Sequence, residues 1–204
     1  MSPSHAYLSF EEAAALSFGG TTALNFLRDK GGVKPGDSVL IVGASGGVGT
    51  AAVQIAKHFG AEVTGVCSTA NLELVRSIGA DRVIDYTSED FAKSGQTYDI
   101  ILDTTGTTSS SRCENALKPG GRLLLVLASF AQTLGMDRPS KASGKKVIAG
   151  VSAPSVEDLQ FLARLAETGE YKPVIDRSYP LENAAEAHAH VDTGRKRGSV
   201  VMSV

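Results

Sequence analysis

Residues 37–60 read DSVLIVGASGGVGTAAVQIAKHFG, and this stretch decides the fold. Ser38 to Val42 is an apolar run too short for a helix and rich in β-branched residues, the signature of a buried strand in a parallel sheet. A glycine-rich turn follows, Gly43-Ala44-Ser45-Gly46-Gly47-Val48-Gly49. Val48, Ala52, Ile55, Ala56 and Phe59 then recur at helical spacing, and Gly60 stops the helix at its C-cap. Strand, turn and helix make the first half of a βαβ unit. Residues 44–49 fit the pattern G-x-G-x-x-G, with Ala44 in place of the first glycine. Gly46 would let the backbone approach a pyrophosphate, and Gly49 would let the helix pack on the strand. The helix's unpaired amides and positive dipole end attract phosphates. The rival reading is a tight turn with no ligand. Position between strand and helix, where the mechanism needs it, favours a nucleotide.

Which nucleotide depends on the end of the second strand, Glu62 to Cys67. It falls roughly 20 residues past Gly46, where an NAD site places an acidic residue on the ribose 2′-hydroxyl. Here the chain has Cys67-Ser68-Thr69-Ala70-Asn71. No carboxylate repels a 2′-phosphate, which opens the site to NADP, yet no Lys or Arg among these five residues holds one.

A chain of 204 residues can bury a sizeable core. The formal charge of −2 gives no electrostatic case for nucleic acid or an anionic membrane. Apolar runs are too short to span a bilayer, and the first residues lack the pattern of a signal peptide. Cys67 and Cys113 make neither a disulfide framework nor a metal cluster, so a cytoplasmic location and no metal are expected.

Residues 9–30 read as a helical lead-in with Ser9 as N-cap, interrupted at Phe18-Gly19-Gly20-Thr21-Thr22. Further along, Asn71 to Ile78 looks helical, Arg82 to Asp85 is a third strand, and Ser88 to Ala92 starts another helix. Tyr98 to Leu102 is a fourth strand ending at Asp103-Thr104-Thr105-Gly106. A helix from about Ser109 to Leu117 meets the turn Lys118-Pro119-Gly120-Gly121. Leu123 to Leu127 is a fifth strand and Lys146 to Gly150 a sixth. Gly135 to Lys145 is polar and expected to be a mobile loop. Ser155 to Thr168 is an amphipathic helix, Tyr171 to Ile175 a possible strand, Leu181 to Val191 a helix, and Ser199 to Val204 a β-like ending. Alternating strands and helices predict an α/β protein: a Rossmann, doubly wound parallel sheet of about six strands, with a C-terminal helix/strand extension. Ligands bind such sheets beyond the carboxyl ends of the strands.

The ordered motifs LSFEEAAAL, GGTTAL, KPGDSVLIVGASGGVGTAAVQIAKHFGAEVTGVCST, GADRVIDY, YDIILDTTG, LKPGGRLLLV and YPLENAAEAHAHVDTGRKRGSVVMSV span nearly the whole chain. Together they resemble the quinone oxidoreductase-like branch of the medium-chain dehydrogenase/reductase superfamily. The resemblance implies a Rossmann cofactor domain beside a GroES-like catalytic domain, and hydride transfer from NADPH, in preference to NADH, to a quinone, enone or carbonyl substrate. It implies cofactor contacts at Thr22, Ser45, Gly46, Gly47, Val48, Ser68, Asn71, Tyr86, Thr105, Gly106 and Ser129. Several NADPH-using relatives carry Lys where Asn71 stands, which leaves Tyr86 with Ser68, or more distantly Arg195 to Arg197, to hold the 2′-phosphate. In that family LSFEEAAAL follows a catalytic domain, and here it stands almost at residue 1. Residues 1–170 are therefore expected to be the dinucleotide-binding domain, and 171–204 a return segment whose partner domain is absent. No catalytic residue and no metal ligand are expected in this chain, and a carbonyl or quinone substrate only if a catalytic domain is present. Unpaired edges at the tail or at Lys146 to Val151 predict a homodimer or a disordered C-terminus.

Two other functions remain. One is a non-catalytic or truncated nucleotide-binding module. The other is a class I methyltransferase-like domain, which shares the glycine loop and a PGG turn but needs an acidic residue after the second strand. His188 and His190 are two apart on a helix and cannot share a metal as an i, i+4 pair does. Arg195 to Arg197 reads as a solvated loop.

Overall fold

The structure, a computed structural model, describes residues 8–127 and 144–204. Ser129, and the expected loop of Gly135 to Lys145 apart from its last two residues, fall outside the described residues. Six parallel strands form one sheet: β1 (Ser38–Val42), β2 (Glu62–Cys67), β3 (Arg82–Asp85), β4 (Tyr98–Asp103), β5 (Leu117–Leu125) and β6 (Lys146–Ala149). Their order is β3-β2-β1-β4-β5-β6, so the chain winds one way from β1 to β3 and the other way from β4 to β6. The direction reverses between β1 and β4, which opens a crevice at their carboxyl ends.

Both faces of the sheet are covered, which is why the strands are continuously apolar. Val39 and Ile41 of β1 turn to one face with Ile100, Leu102 and Leu124. The helices α1 (Phe10–Leu24), α2 (Gly47–His58) and α5 (Val156–Glu167) join the same core, as does Val75 against β2. Leu40 and Val42 turn to the other face with Ile101, Leu123 and Leu125, under Phe91, Cys113 and Ala116. Each large side chain buried this way contributes about 1.5–3 kcal/mol.

The second face carries less helix than the sequence predicts. Instead of a helix from Ser88, one 3₁₀ turn forms at Phe91–Lys93, capped by Asp90 accepting from Ala92 N–H. Gly95 at φ +74° turns the chain away after it. The helix expected from Ser109 shortens to α4 (Ser110–Cys113) and one 3₁₀ turn. The fifth strand begins six residues early because Leu117 already pairs with Tyr98 before the register shifts. After β2, a 3₁₀ turn at Thr69–Asn71 leads into α3 (Leu72–Ser77).

Gly19 and Gly20 do not interrupt α1. Ser9 and Glu12 cap that helix reciprocally, Glu12 N–H to Ser9 Oγ at 3.1 Å and Ser9 N–H to Glu12 Oε2 at 2.9 Å. It then runs through both glycines and ends in a π-helical stretch, Asn25–Lys30. The glycines serve close packing. A Cβ on Gly19 would lie 2.5 Å from the Gly47 carbonyl oxygen of α2, and one on Gly20 3.0 Å from Leu162 Cδ1 of α5.

The tail finds partners within the chain. β7 (Ile175–Pro180) pairs in parallel with β8 (Ser199–Ser203), with α6 (Ala184–Asp192) between them in sequence. The strand expected at Tyr171 to Ile175 therefore starts where it was expected to end. Lys172 is instead bonded through its backbone N–H and C=O to the Gln54 side-chain amide, at 2.8 and 3.0 Å. The unpaired or disordered C-terminus expected from the sequence is not what the described residues show.

Gly19→Ala separates the two readings of the glycine pair. Alanine alone favours a helix interior over glycine by about 1 kcal/mol. Forcing a methyl onto the backbone of α2 costs about 1–3 kcal/mol. Net destabilisation is therefore expected in urea unfolding, and a higher unfolding midpoint would show that no close contact is needed there.

Candidate functional site

The site is built where β1 ends. Gly43, at φ +80°, sends its own N–H and that of Ala44 to the Val66 carbonyl of β2, at 3.1 and 3.0 Å. Its missing side chain makes room for the loop after β4: a Cβ there would overlap Thr105 and stand 2.6 Å from Thr104 Oγ1. Thr104 in turn donates from its N–H and its hydroxyl to Val42 C=O, at 3.1 and 2.9 Å. A Cβ on Gly49 would collide with the Gly43 carbonyl, so the first turn of α2 can rest on the turn only as glycine.

Gly46 differs from these. A Cβ on it would meet only the Gly43 carbonyl, at an ordinary 3.5 Å, so no packing within the described chain requires glycine there. It is also the N-cap of α2 and offers no side-chain cap, whereas α1, α4 and α5 are capped by Ser9, Ser109 and Ser155. The amides opening α2 have no acceptor within the helix. They lie at the positive dipole end of α2, just past the carboxyl end of β1.

Beside the turn, Asn71 donates through Nδ2 to Ser45 Oγ at 3.1 Å and Ser68 Oγ at 3.2 Å. Its Oδ1 is buried with no hydrogen-bond partner. A buried amide oxygen without a donor costs about 1–3 kcal/mol, and a ribose hydroxyl is a donor of the right kind. An open glycine, a line of amides and an orphaned amide oxygen fit a dinucleotide's pyrophosphate and ribose.

The other sequence-predicted residues sit as follows. Ser45, Gly46, Gly47 and Val48 are partly exposed along the turn, while Thr22 is buried on α1, one turn beyond Gly19. Tyr86 follows β3, its N–H bonded to Cys67 C=O at 3.1 Å and its side chain 62% exposed. Thr105 and Gly106 are exposed in the loop after β4.

That loop is organised by Asp103, which has no exposed surface. One carboxylate oxygen accepts from Thr105 N–H (2.7 Å), Thr105 Oγ1 (2.7 Å) and Gly106 N–H (3.1 Å), and the other from Thr108 N–H (2.8 Å). At the end of β2, burial first and Asp85 second push the Cys67 thiol up to about 11, which leaves it unreactive at neutral pH. Asp85 is tied into its own turn by Thr69 Oγ1 at 2.5 Å and by Thr87 N–H and Oγ1 at 3.0 and 2.7 Å. Hydrogen bonds from Thr69, then Thr87, hold its carboxyl below the usual carboxylate range. Among the described residues no group of three or more His, Cys, Asp or Glu side chains gathers for a metal ion.

Sequence reasoning reached the C-terminus only through Arg195 to Arg197 as a distant phosphate contact, and missed the part played by Gly198. Gly198 pairs with Gly46 as an isolated parallel bridge and donates its N–H to Ser45 C=O at 2.8 Å. Only a glycine passes Val174 at that point, since a Cβ would overlap the Val174 carbonyl. The GRKRG run carried a signal, a glycine on each side of a basic triplet, but nothing in the sequence says what it crosses.

Residues 78–202 match the sequence family described as zinc-binding dehydrogenase. The chain is 35% identical to the mitochondrial NAD(P)H oxidoreductase RTN4IP1 of Mus musculus, over 97% of this chain and 56% of that protein. It is 33% identical to a chloroplast envelope quinone oxidoreductase homologue of Arabidopsis thaliana, over 94% of this chain and 61% of that protein. The solved quinone oxidoreductase of Coxiella burnetii superposes with a TM-score of 0.88 at 31% identity, covering 97% of this chain and 62% of that one. The chain thus spans little more than half the length of these proteins. Relatives named for mitochondria and for the chloroplast envelope overturn the cytoplasmic expectation.

Asp103→Ala tests the loop. It strips the acceptor from three backbone amides, at about 1–3 kcal/mol for each left buried and unpaired. A clear fall in denaturation midpoint is expected, and an unchanged midpoint would remove Asp103 as the organiser.

Proposed function

Because the chain belongs to the zinc-binding dehydrogenase family, within the quinone oxidoreductase-like part of the medium-chain dehydrogenase/reductase superfamily, we propose that it is the NADPH-binding part of a reductase of quinones, enones or related carbonyl compounds. The observation that carries this is α2, uncapped and open at Gly46. Bound NADPH would supply a hydride to such a substrate. Residues 1–170 form the cofactor unit in this reading, and 171–204 the segment that returns toward a catalytic domain. No residue of this chain is assigned to the chemical step.

Within the unit, the amides of Gly47 and Val48 face the pyrophosphate, and Ser45, Ser68 and Asn71 surround the adenosine ribose. Tyr86 lies beside its 2′-phosphate, Thr105 and Gly106 border the crevice on the β4 side, and Thr22 completes the contact set among the described residues. The preference for NADPH is supported by the absence of a carboxylate from Cys67 to Asn71, and by Asp85 being turned into its own loop. Ser68 and Tyr86 offer neutral donors, while both Nδ2 hydrogens of Asn71 are already given to Ser45 and Ser68.

Calorimetric titration with NADPH, NADH and S-adenosylmethionine is expected to rank them in that order. NADPH should bind about tenfold or more above NADH, the worth of one charge-assisted hydrogen bond. Tighter NADH binding would return the pocket to ribose hydroxyls with Asp85 nearby, and a preference for S-adenosylmethionine would end the reductase reading.

We also propose a homodimer through β6, which among the described residues is hydrogen-bonded to β5 on one side only and is followed by Val151, 90% exposed. Light scattering is expected to give twice the chain mass. A Val147→Lys variant should shift it toward the single chain, and a monomeric parent would exclude the pairing.

A further inference from the structure

The three basic residues that close the chain part company. Arg195 and Arg197 line a cleft with Asp176, Arg177, His190 and Thr193, and no residue of the glycine turn lines it. Lys196 goes the other way and is half-buried. Its Nζ lies 3.2 Å from the position a Cβ on Gly47 would take, against the first residue of α2.

That is an unfavourable place for a cation. The N-terminal end of a helix is already positive, and an ammonium there is opposed by the dipole. Among the described residues no carboxylate lies within ion-pair distance of Lys196. Among the same residues, the acceptor it meets is Gly198 C=O, at 2.8 Å. An ammonium has three donors, so two remain uncommitted. Burial pulls its pKa below the usual lysine range, opposed only by the more distant charge of Asp176. The strap carrying Lys196 is fixed to the turn by Gly198, so the ammonium is held there rather than swept past.

One ligand would relieve all of this. An anion lodged between the opening amides of α2 and the Lys196 ammonium meets donors on both sides and neutralises two like charges at once. We infer that Lys196 is a cofactor-binding residue which grips the pyrophosphate of the dinucleotide from the C-terminal side of the glycine turn. This rests on the dinucleotide reading above and deepens it: the strap is part of the cofactor site. Contact with the pyrophosphate, common to both cofactors, separates Lys196 from residues that sense the 2′-phosphate.

The test uses the full chain, its Lys196→Met and Lys196→Arg variants, and calorimetric titration with NADPH, NADH and ADP-ribose. Lys196→Met is expected to weaken all three by a similar factor, about ten- to a hundredfold for one hydrogen bond to a charged group. It should also flatten the dependence of affinity on salt, and Lys196→Arg should restore most of both. Protection of the parent chain needs no variant: bound NADPH is expected to slow acetylation of Lys196, followed by peptide mass spectrometry, several-fold relative to exposed lysines. Parent-like affinity of a folded Lys196→Met for all three ligands would overturn the inference, and so would a loss confined to NADPH or the absence of protection. If the parent chain bound none of the ligands, the dinucleotide reading itself would fall.

Discussion

The structure depends on how closely backbone can approach backbone at the carboxyl end of β1. Four contacts there exist only because a Cβ is missing: α1 on α2 at Gly19, the loop after β4 on the turn at Gly43, α2 on the turn at Gly49, and the C-terminal strap past Val174 at Gly198. Packing in such interiors resists even one added methylene. These glycines therefore fix the turn from four directions, by shape rather than by attraction. What they hold in place is a line of amides that no residue of the helix satisfies.

Against that frame the polar groups divide into those the chain has used and those it has left over. Asp103 is used up: four donors saturate its buried carboxylate, and it serves to shape the loop. Asp85 is engaged likewise by Thr69 and Thr87. The remainder is the uncapped start of α2, the amide oxygen of Asn71 and two donors of Lys196. Folding tolerates unsatisfied groups of this kind where a ligand will complete them. Nearly all of them are donors or cations, which an anionic ligand would complete.

Much of this was legible in the sequence, because the informative features were local. The run from Ser38 to Gly49 carries its strand, turn and helix in consecutive residues, and the doubly wound parallel sheet follows from alternation with short connections. The misreadings share one cause. Gly19-Gly20 looked like a break because propensity sees only the entropy of glycine. The close neighbour that repays it lies 28 residues on. The helix expected at Ser88 and the strand expected at Tyr171 gave way to side-chain caps and clasps, Asp90 on Ala92 and Gln54 on Lys172. The second of these reaches across the fold.

The C-terminal segment shows the same limit most fully. Read along the chain, GRKRG is a basic loop, and its default is solvent. Folded, its three side chains reach two different clefts, and its last glycine is hydrogen-bonded to the residue just before the dinucleotide turn's open glycine. A contact between Ser45 and Gly198 joins residues far apart in the chain, so its loop-closure entropy is offset only once the sheet and α2 exist. The strap then settles on a surface already formed, and whatever anion occupies that surface stabilises the strap and is gripped by it. Order at the C-terminus and occupancy of the glycine turn are, by linkage, two readings of one equilibrium.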